Sequence, residues 1–328
     1  MDIVQKFIQK AQNNPARLVY PEATDPRILE AVTKVRDLGI AKPILVGNST
    51  EILKVADELK LSLLGIDIID NKMDARLETF TQIYAQKREM RAAIARKLVQ
   101  KPLSFGGMMV SQGDADGMVA GVATATSIVI QTATLTVGFQ EGLSTPSSFF
   151  IMIIPAFQGE QDKVFIFADS AVNIQPTAQQ LAEIAIASGT NAIALLGIEP
   201  KIAFLSFSTH GSAGHADADK VTEALELARK INPDFAMDGE LQLDAAIIPK
   251  VAAKKVQASS VAGQANVLIF PDLDAGNIGY KLVQYMANAK AIGPILQGFS
   301  KPVNDMSRGA SVDDLIAVSA ITSVQAKG

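Results

Sequence analysis

The chain contains no cysteine and only two histidines in 328 residues. Without cysteine there can be no disulfide, no thiolate metal site and no cysteine nucleophile, and a cytoplasmic setting is expected. The histidines, His210 and His215, lie five apart in LSFSTHGSAGHADADK. They lack the i, i+4 helical spacing of a metal pair, so no metal is expected. Positive charge is not in excess either. Thirty Lys and Arg face 34 Asp and Glu, mixed along the chain, for a net charge of −4. The basic footprint of a nucleic-acid binder is therefore missing, and a bound anion needs a local cluster of Arg, Lys or backbone N–H groups. The longest apolar runs, such as FFIMIIPAF, are too short to span a bilayer, so no membrane partner is expected. The opening MDIVQKFIQKAQNNPARLVY places Ile3, Phe7 and Ile8 on one side of a helix and lacks the apolar core of a secretory signal.

What is present is a hydrophobic fraction of 48% in a chain long enough to divide its core. The first part alternates strand and helix. RLVYPEA, IAKPILVGN and GIDIID read as strands. DPRILEAVTKVRDLG reads as a helix, with Pro26 in its first turn and Gly39 as its stop; STEILKVADELKLSLLG reads as another, opened by Ser49 or Thr50. A long basic helix is expected from Arg76 to about Val99, carrying Lys87, Arg88, Arg91, Arg96 and Lys97. Such a run is a solvated face or a seat for a polyanion. From Gly106 the texture turns small and apolar, and GLSTPSS looks like a boundary. Beyond it FFIMIIP, VFIFAD, AIALLG, KIAFLSFS and NVLIFPD are strand candidates. TAQQLAEIAIASG, DADKVTEALELARKIN and IGYKLVQYMANAK are helix candidates. The βα rhythm predicts an α/β fold with mostly parallel sheets.

Four loops carry the candidate chemistry. In KPVNDMSRGASVDDL, Ser311 and Asp314 have the spacing of a capping box before the apolar helix VDDLIAVSAITSVQAK. The same stretch offers Ser307 and Arg308 beside a helix N-terminus, a combination suited to an anion. Asp169, Asn173 and Pro176 follow the strand VFIFAD, where α/β sheets bind ligands, or they form a turn capped by Thr177. Ser206, Ser208, Thr209, Gly211 and Gly214 form a loop that matches no Walker pattern. Asp272 and Asp274 lack the remaining ligands of a calcium loop, and Gly276, Asn277 and Gly279 read as close backbone packing.

Taken together, GDADGMVAG, FADSAVNIQPTAQQLAEIAIASG, GIEPKIAFLSFST, DGELQLDAA, ANVLIFPDLDAGNIGYKLVQ and GPILQGFSKPVNDMSRGASVDDL resemble the phosphate acetyltransferase (phosphotransacetylase) family. The resemblance covers nearly the whole chain and is densest from about residue 106 onward. It implies two three-layer α/β domains with mostly parallel sheets and an inter-domain cleft, related to the isocitrate and isopropylmalate dehydrogenases. Residues 1–143 with 299–328 are expected to form one domain and 144–298 the other. The implied reaction is reversible transfer of acetyl between acetyl phosphate and coenzyme A, releasing inorganic phosphate, with no metal, no permanently bound cofactor and no covalent intermediate. The implied assembly is a homodimer. Carried over by motif, Asp314 is the base for the coenzyme A thiol, Arg308 holds the phosphoryl group, and Ser307 assists the developing charge. Thr126 matches a family threonine. Arg88 and Asn304 are further candidates for substrate contact.

One segment departs from the pattern. Thr124 stands where the family has a histidine, Ala125 replaces a serine, and Gln131 replaces an arginine of the acyl phosphate or coenzyme A site. Losing one charge-assisted phosphate contact costs ~1.5–3 kcal/mol. Three alternatives to acetyl transfer therefore stand. The first is a longer acyl group, as in the phosphate butyryltransferases. The second is an oxidoreductase of the related dehydrogenase fold, against which the missing dinucleotide fingerprint counts. The third is a paralogue that binds coenzyme A or acetyl phosphate without catalysis. An ordinary carboxylate is a weak pre-equilibrium base for a thiol of pKa ~8.5, so three remedies stand open: desolvation of the base, cationic charge beside the thiol, or proton transfer concerted with attack on the acyl carbon.

Overall fold

The computed structural model describes residues 3–327, and the chain divides into two compact units, Met1–Gln140 with Phe299–Gly328, and Glu141–Gly298. The strands are β1 Ala16–Tyr20, β2 Ala41–Val46, β3 Asp67–Ile69, β4 Gly117–Ala120, β5 Ser147–Phe157, β6 Glu160–Ala168, β7 Lys201–Leu205, β8 Ala236–Leu241, β9 Val267–Ile269, β10 Lys290–Gln297 and β11 Val303–Asp305.

In the first unit the sheet order is β11-β4-β1-β2-β3, and every pairing is parallel. Successive side chains of a strand point to opposite faces, and β1 shows what covers each. Tyr20 is buried on one face, where its hydroxyl donates to Ser319 Oγ of the helix Val312–Gln325 at 2.8 Å. Val19 lies on the other, against Gly106 of the helix Pro102–Gln112. Helices Ile3–Asn13 and Pro26–Asp37 pack with Val312–Gln325. The last helix thus closes the first unit. Buried hydroxyls tie it down: the Ala16 N–H donates to Ser323 Oγ at 3.0 Å, and the Asn304 amide donates to Thr322 Oγ1 at 2.8 Å.

The second unit orders its strands β10-β5-β6-β9-β7-β8. β6, β9, β7 and β8 run parallel, whereas β10–β5 and β5–β6 are antiparallel. The β5–β6 hairpin turns through Gln158 and Gly159, both at positive φ, the backbone that two-residue hairpin loops demand. Helices Ala178–Asn191 and Ala216–Ile231 pack together, and an aromatic cluster including Phe150, Phe165, Phe167 and Phe270 fills part of the core.

Several elements differ from expectation. The long basic helix is two, Leu77–Lys87 and Ala92–Val99, interrupted where Glu89 takes φ +50°. AIALLG is not a strand; Ala192–Leu196 is a π-helical turn that prolongs Ala178–Asn191 and stops at Gly197 in the left-handed region. A short buried apolar run has the same pattern in either state. The helix Ser49–Glu58 is capped by Asn48, one residue earlier than expected. Among the described residues no helix is long and apolar enough to cross a membrane.

Candidate active site

In the first unit the chain runs from β1 outward to β2 and β3, then returns to lay β4 on the other side of β1. Ligands of parallel α/β sheets gather at the carboxyl ends of strands where the order reverses in this way. Three loops leave those ends: Pro21 to Asp25 after β1, Gly121 to Ala125 after β4, and Met306 to Ala310 after β11.

Glu22 organises the second of them. Its carboxylate accepts from the backbone N–H groups of Gly121 and Val122 at 2.8 Å each, of Ala123 at 3.0 Å and of Thr124 at 2.7 Å. Arg27 joins the loops. It pairs with Asp25 at 2.8 Å and donates to the carbonyls of Val122, Arg308 and Ala310. The Met306 N–H donates to the Ala120 carbonyl at 2.7 Å, which carries the β4–β11 pairing into the loops. Gly121 sits at φ +105°, and a Cβ there would overlap Asp305 Oδ1 and the Met306 backbone, so only glycine fits.

On this frame Ser307 and Arg308 are exposed. The Ser307 hydroxyl accepts from the Gly309 N–H at 3.2 Å. The Arg308 backbone is fixed by Arg27, while its guanidinium forms no ion pair among the described residues. Asp314 completes a capping box with Ser311. Its Oδ2 accepts from the Ser311 N–H at 2.9 Å and the Ser311 hydroxyl at 2.8 Å, and its own N–H donates to Ser311 Oγ. The capping pattern visible in the sequence is real, and it leaves Oδ1 of the exposed carboxylate available.

Thr126 opens the helix Thr126–Thr136, and its hydroxyl donates to Asp305 Oδ2 at 2.5 Å. Asp305 is 5% exposed. Burial, opposed by the Thr126 hydrogen bond and reinforced by the Glu22 charge, pushes its carboxyl up to about 6. The sign follows. Between the unfolded value near 3.8 and the folded value near 6, the folded state holds a proton that the unfolded state has lost, so stability falls as pH rises through this window and stays lower above it. A displacement of about two pH units corresponds to ~3 kcal/mol. Asp305→Asn is therefore expected to raise the urea-unfolding free energy by up to ~3 kcal/mol at pH 7.5 and to be near neutral at pH 4. A loss of stability at pH 7.5 would show that the ionised group is not strained.

Gln131 lies one and a half turns along the helix from Thr126. With Glu22, Tyr84, Lys101, Ser104 and Thr124 it lines a cavity of about 580 Å³ whose remaining walls include Pro21, Leu98, Ile128 and Leu135. Lys101 is the sole cation of that lining. Arg88 is spent at the far end of the same helix, where it donates to the carbonyls of Thr134 and Leu135 at 2.7–3.0 Å. Asn304 faces away from this group. It is fully buried, with its amide on Thr322 and Gln325 of the final helix. Strand alternation explains this, since Asp305 points to the opposite face of β11.

In the second unit most polar side chains of these loops bond locally, although the buried Ser170 hydroxyl has no partner among the described residues. The Asp169 carboxylate accepts from Ser148, from the N–H groups of Ala171, Val172 and Asn173, and from the Asn173 amide. Thr177 and Gln180 form a capping box, Asp272 caps Leu273–Met286, and Gly276 packs on the Asp169 carbonyl. His215 caps Ala216–Ile231, and His210 Nε2 lies 3.1 Å from Asp238. Glu22, Arg27, Lys101 and Asp305 are the residues sequence reasoning missed. The strand-end position of Glu22 and the place of Asp305 two residues before Ser307 were the available signals.

The pattern of a family described as Phosphate acetyl/butaryl transferase matches residues 2–323. The chain belongs to this family, and it is an acyltransferase. It is 46% identical over 330 residues to the phosphate acetyltransferase of Thermoanaerobacterium thermosaccharolyticum, covering 100% of both chains. Among solved structures it resembles a phosphotransacetylase from Streptococcus pyogenes, with a TM-score of 0.93 and 39% identity over 99% of this chain and 98% of that one. A 4-hydroxythreonine-4-phosphate dehydrogenase from Burkholderia phymatum shares the fold alone, with a TM-score of 0.54 and 13% identity over 94% of this chain and 98% of that one.

Proposed function

We propose that the protein is a phosphate acetyltransferase that moves acetyl reversibly between acetyl phosphate and coenzyme A. The observation that carries this reading is the exposed trio Ser307, Arg308 and Asp314, which combines an arginine without an ion pair among the described residues with a carboxylate retaining an available oxygen. Asp314 takes the thiol proton as sulfur attacks the acyl carbon. The C–S bond forms, the bond between the acyl carbon and the bridging oxygen breaks, and inorganic phosphate leaves with that oxygen, held by Arg308. Ser307 and Thr126 donate to oxygens on which negative charge grows. Holding both substrates in line supplies much of the acceleration. Asn304 and Arg88 act as positioning residues, one anchoring β11 and the other the helix that carries Thr126 and Gln131. The reading includes a cytoplasmic homodimer. Initial rates of phosphate-dependent cleavage of acetyl-, propionyl- and butyryl-coenzyme A test it; acetyl is expected to rank first. Butyryl ranking first would favour the longer-chain reading opened by Gln131 and Ala125.

The cavity beside Gln131 fits the phosphate-bearing arm of coenzyme A, with Lys101 supplying the charge that Gln131 lacks. One ammonium–phosphate contact is worth ~1.5–3 kcal/mol. Lys101→Met is therefore expected to raise KM for coenzyme A by ~10- to 100-fold with kcat little changed, and Gln131→Arg in the same chain is expected to restore it. An unchanged KM would remove Lys101 from the site.

A further inference from the structure

Thr126 presents the one side-chain hydroxyl in this group whose hydrogen is claimed by a buried carboxylate. Asp305 Oδ2 accepts it at 2.5 Å. Asp305 Oδ1 is buried with no partner among the described residues, and the Gly121 backbone lies directly against it. Thr126 itself is exposed at the first position of its helix, beside backbone N–H groups that attract anions. A hydroxyl has one hydrogen to give. While Asp305 is ionised, that hydrogen is directed inward and Thr126 shows only lone pairs to an arriving anion.

We infer that Asp305 is a protonation-controlled positioning residue: its ionised carboxylate claims the Thr126 hydrogen, and its neutral carboxyl donates to Thr126 Oγ1 and releases that hydrogen to an anionic oxygen. The inference rests on the acyl-transfer reading only for the identity of the anion, a phosphoryl or carbonyl oxygen of the substrate. An approaching anion favours the neutral carboxyl electrostatically, so binding takes up a proton at Asp305. Of the charged groups on the neighbouring loops, Glu22 adds repulsion and favours the neutral form. Arg27 is occupied by Asp25 and three carbonyls, and Arg308 and Asp314 are exposed on the loop and helix that follow. Burial and Glu22 place the change near pH 6, within reach of ordinary buffers.

The test is calorimetric binding of sulfate, whose charge is constant over the range, to the full chain at pH 5.5 and 7.5. Wild type is expected to bind at least ~10-fold more weakly at pH 7.5. Asp305→Asn carries an amide that donates to Thr126 permanently, so it should bind at pH 7.5 as wild type does at pH 5.5, with no pH dependence. Thr126→Val should bind weakly at both values, and Thr126→Ser should recover the wild-type dependence. Sulfate affinity independent of pH in wild type, no sulfate binding at either pH, or a pH dependence that survives in Asp305→Asn overturns the inference. Turnover of acetyl phosphate by the same preparations reports on the acyl-transfer reading separately. Turnover without pH-linked sulfate binding removes the switch alone, and pH-linked binding without turnover removes the catalytic reading alone.

Discussion

Asp314→Asn is expected to lower kcat for acyl transfer to coenzyme A by ~10²- to 10⁴-fold, the range that a positioned general base contributes. The choice of asparagine matters because Asp314 does two things. Its Oδ2 accepts from Ser311 N–H and Oγ and so closes the capping box of the helix Val312–Gln325. Asparagine keeps an oxygen for that bond but cannot take a proton at neutral pH. Thermal unfolding should therefore stay close to wild type while turnover collapses. Asp314→Ala loses both roles and should cost roughly 1 kcal/mol of stability as well. Wild-type turnover in a stable Asp314→Asn protein would reduce Asp314 to a cap. The capping bond and the base need not compete, because the bonds from Ser311 fall on Oδ2 alone.

Arg308→Ala is expected to reduce kcat/KM for acetyl phosphate by ~10²- to 10³-fold. A lost charge-assisted contact accounts for ~1.5–3 kcal/mol, and removal of a donor from charge developing in the transition state costs ~2.7–4 kcal/mol. The substitution should leave the loop in place, since Arg27 grips the Arg308 carbonyl at 2.7 Å and not its side chain. Arg308→Lys keeps the charge without the planar fork and should fall between the two. Inhibition by inorganic phosphate should weaken in parallel, because product and substrate share the same guanidinium. Steady-state rates with phosphate as a varied inhibitor check both effects, and an Arg308→Ala enzyme still inhibited normally by phosphate would place the phosphoryl group elsewhere.

Local pattern carried the reading of this chain a long way. Ser311 and Asp314 are three residues apart, so the capping box could be read directly, as could the Thr177 cap and the packing glycine at Gly276. What escaped was long-range. Asp305 meets Thr126 across 179 positions, and Glu22 reaches the N–H groups of residues about a hundred positions away. No periodicity links such pairs, because strand order alone brings them together. The hairpin of β5 and β6 escaped for a different reason. The βα rhythm suggested parallel neighbours, whereas Gln158 and Gly159 at positive φ turn β6 back antiparallel to β5. β8 escaped because AMDGEL carries two acids, and Asp238 and Glu240 are nevertheless buried by hydrogen bonds.

The most direct measurement is thioester formation from acetyl phosphate and coenzyme A by the wild-type protein, with Arg308→Ala and with propionyl and butyryl phosphates in parallel. Rapid turnover with acetyl ahead of the longer chains, and its collapse in Arg308→Ala, is the result predicted here. A well-folded wild-type protein that turns over none of the acyl phosphates would contradict it and leave a site that binds without catalysis.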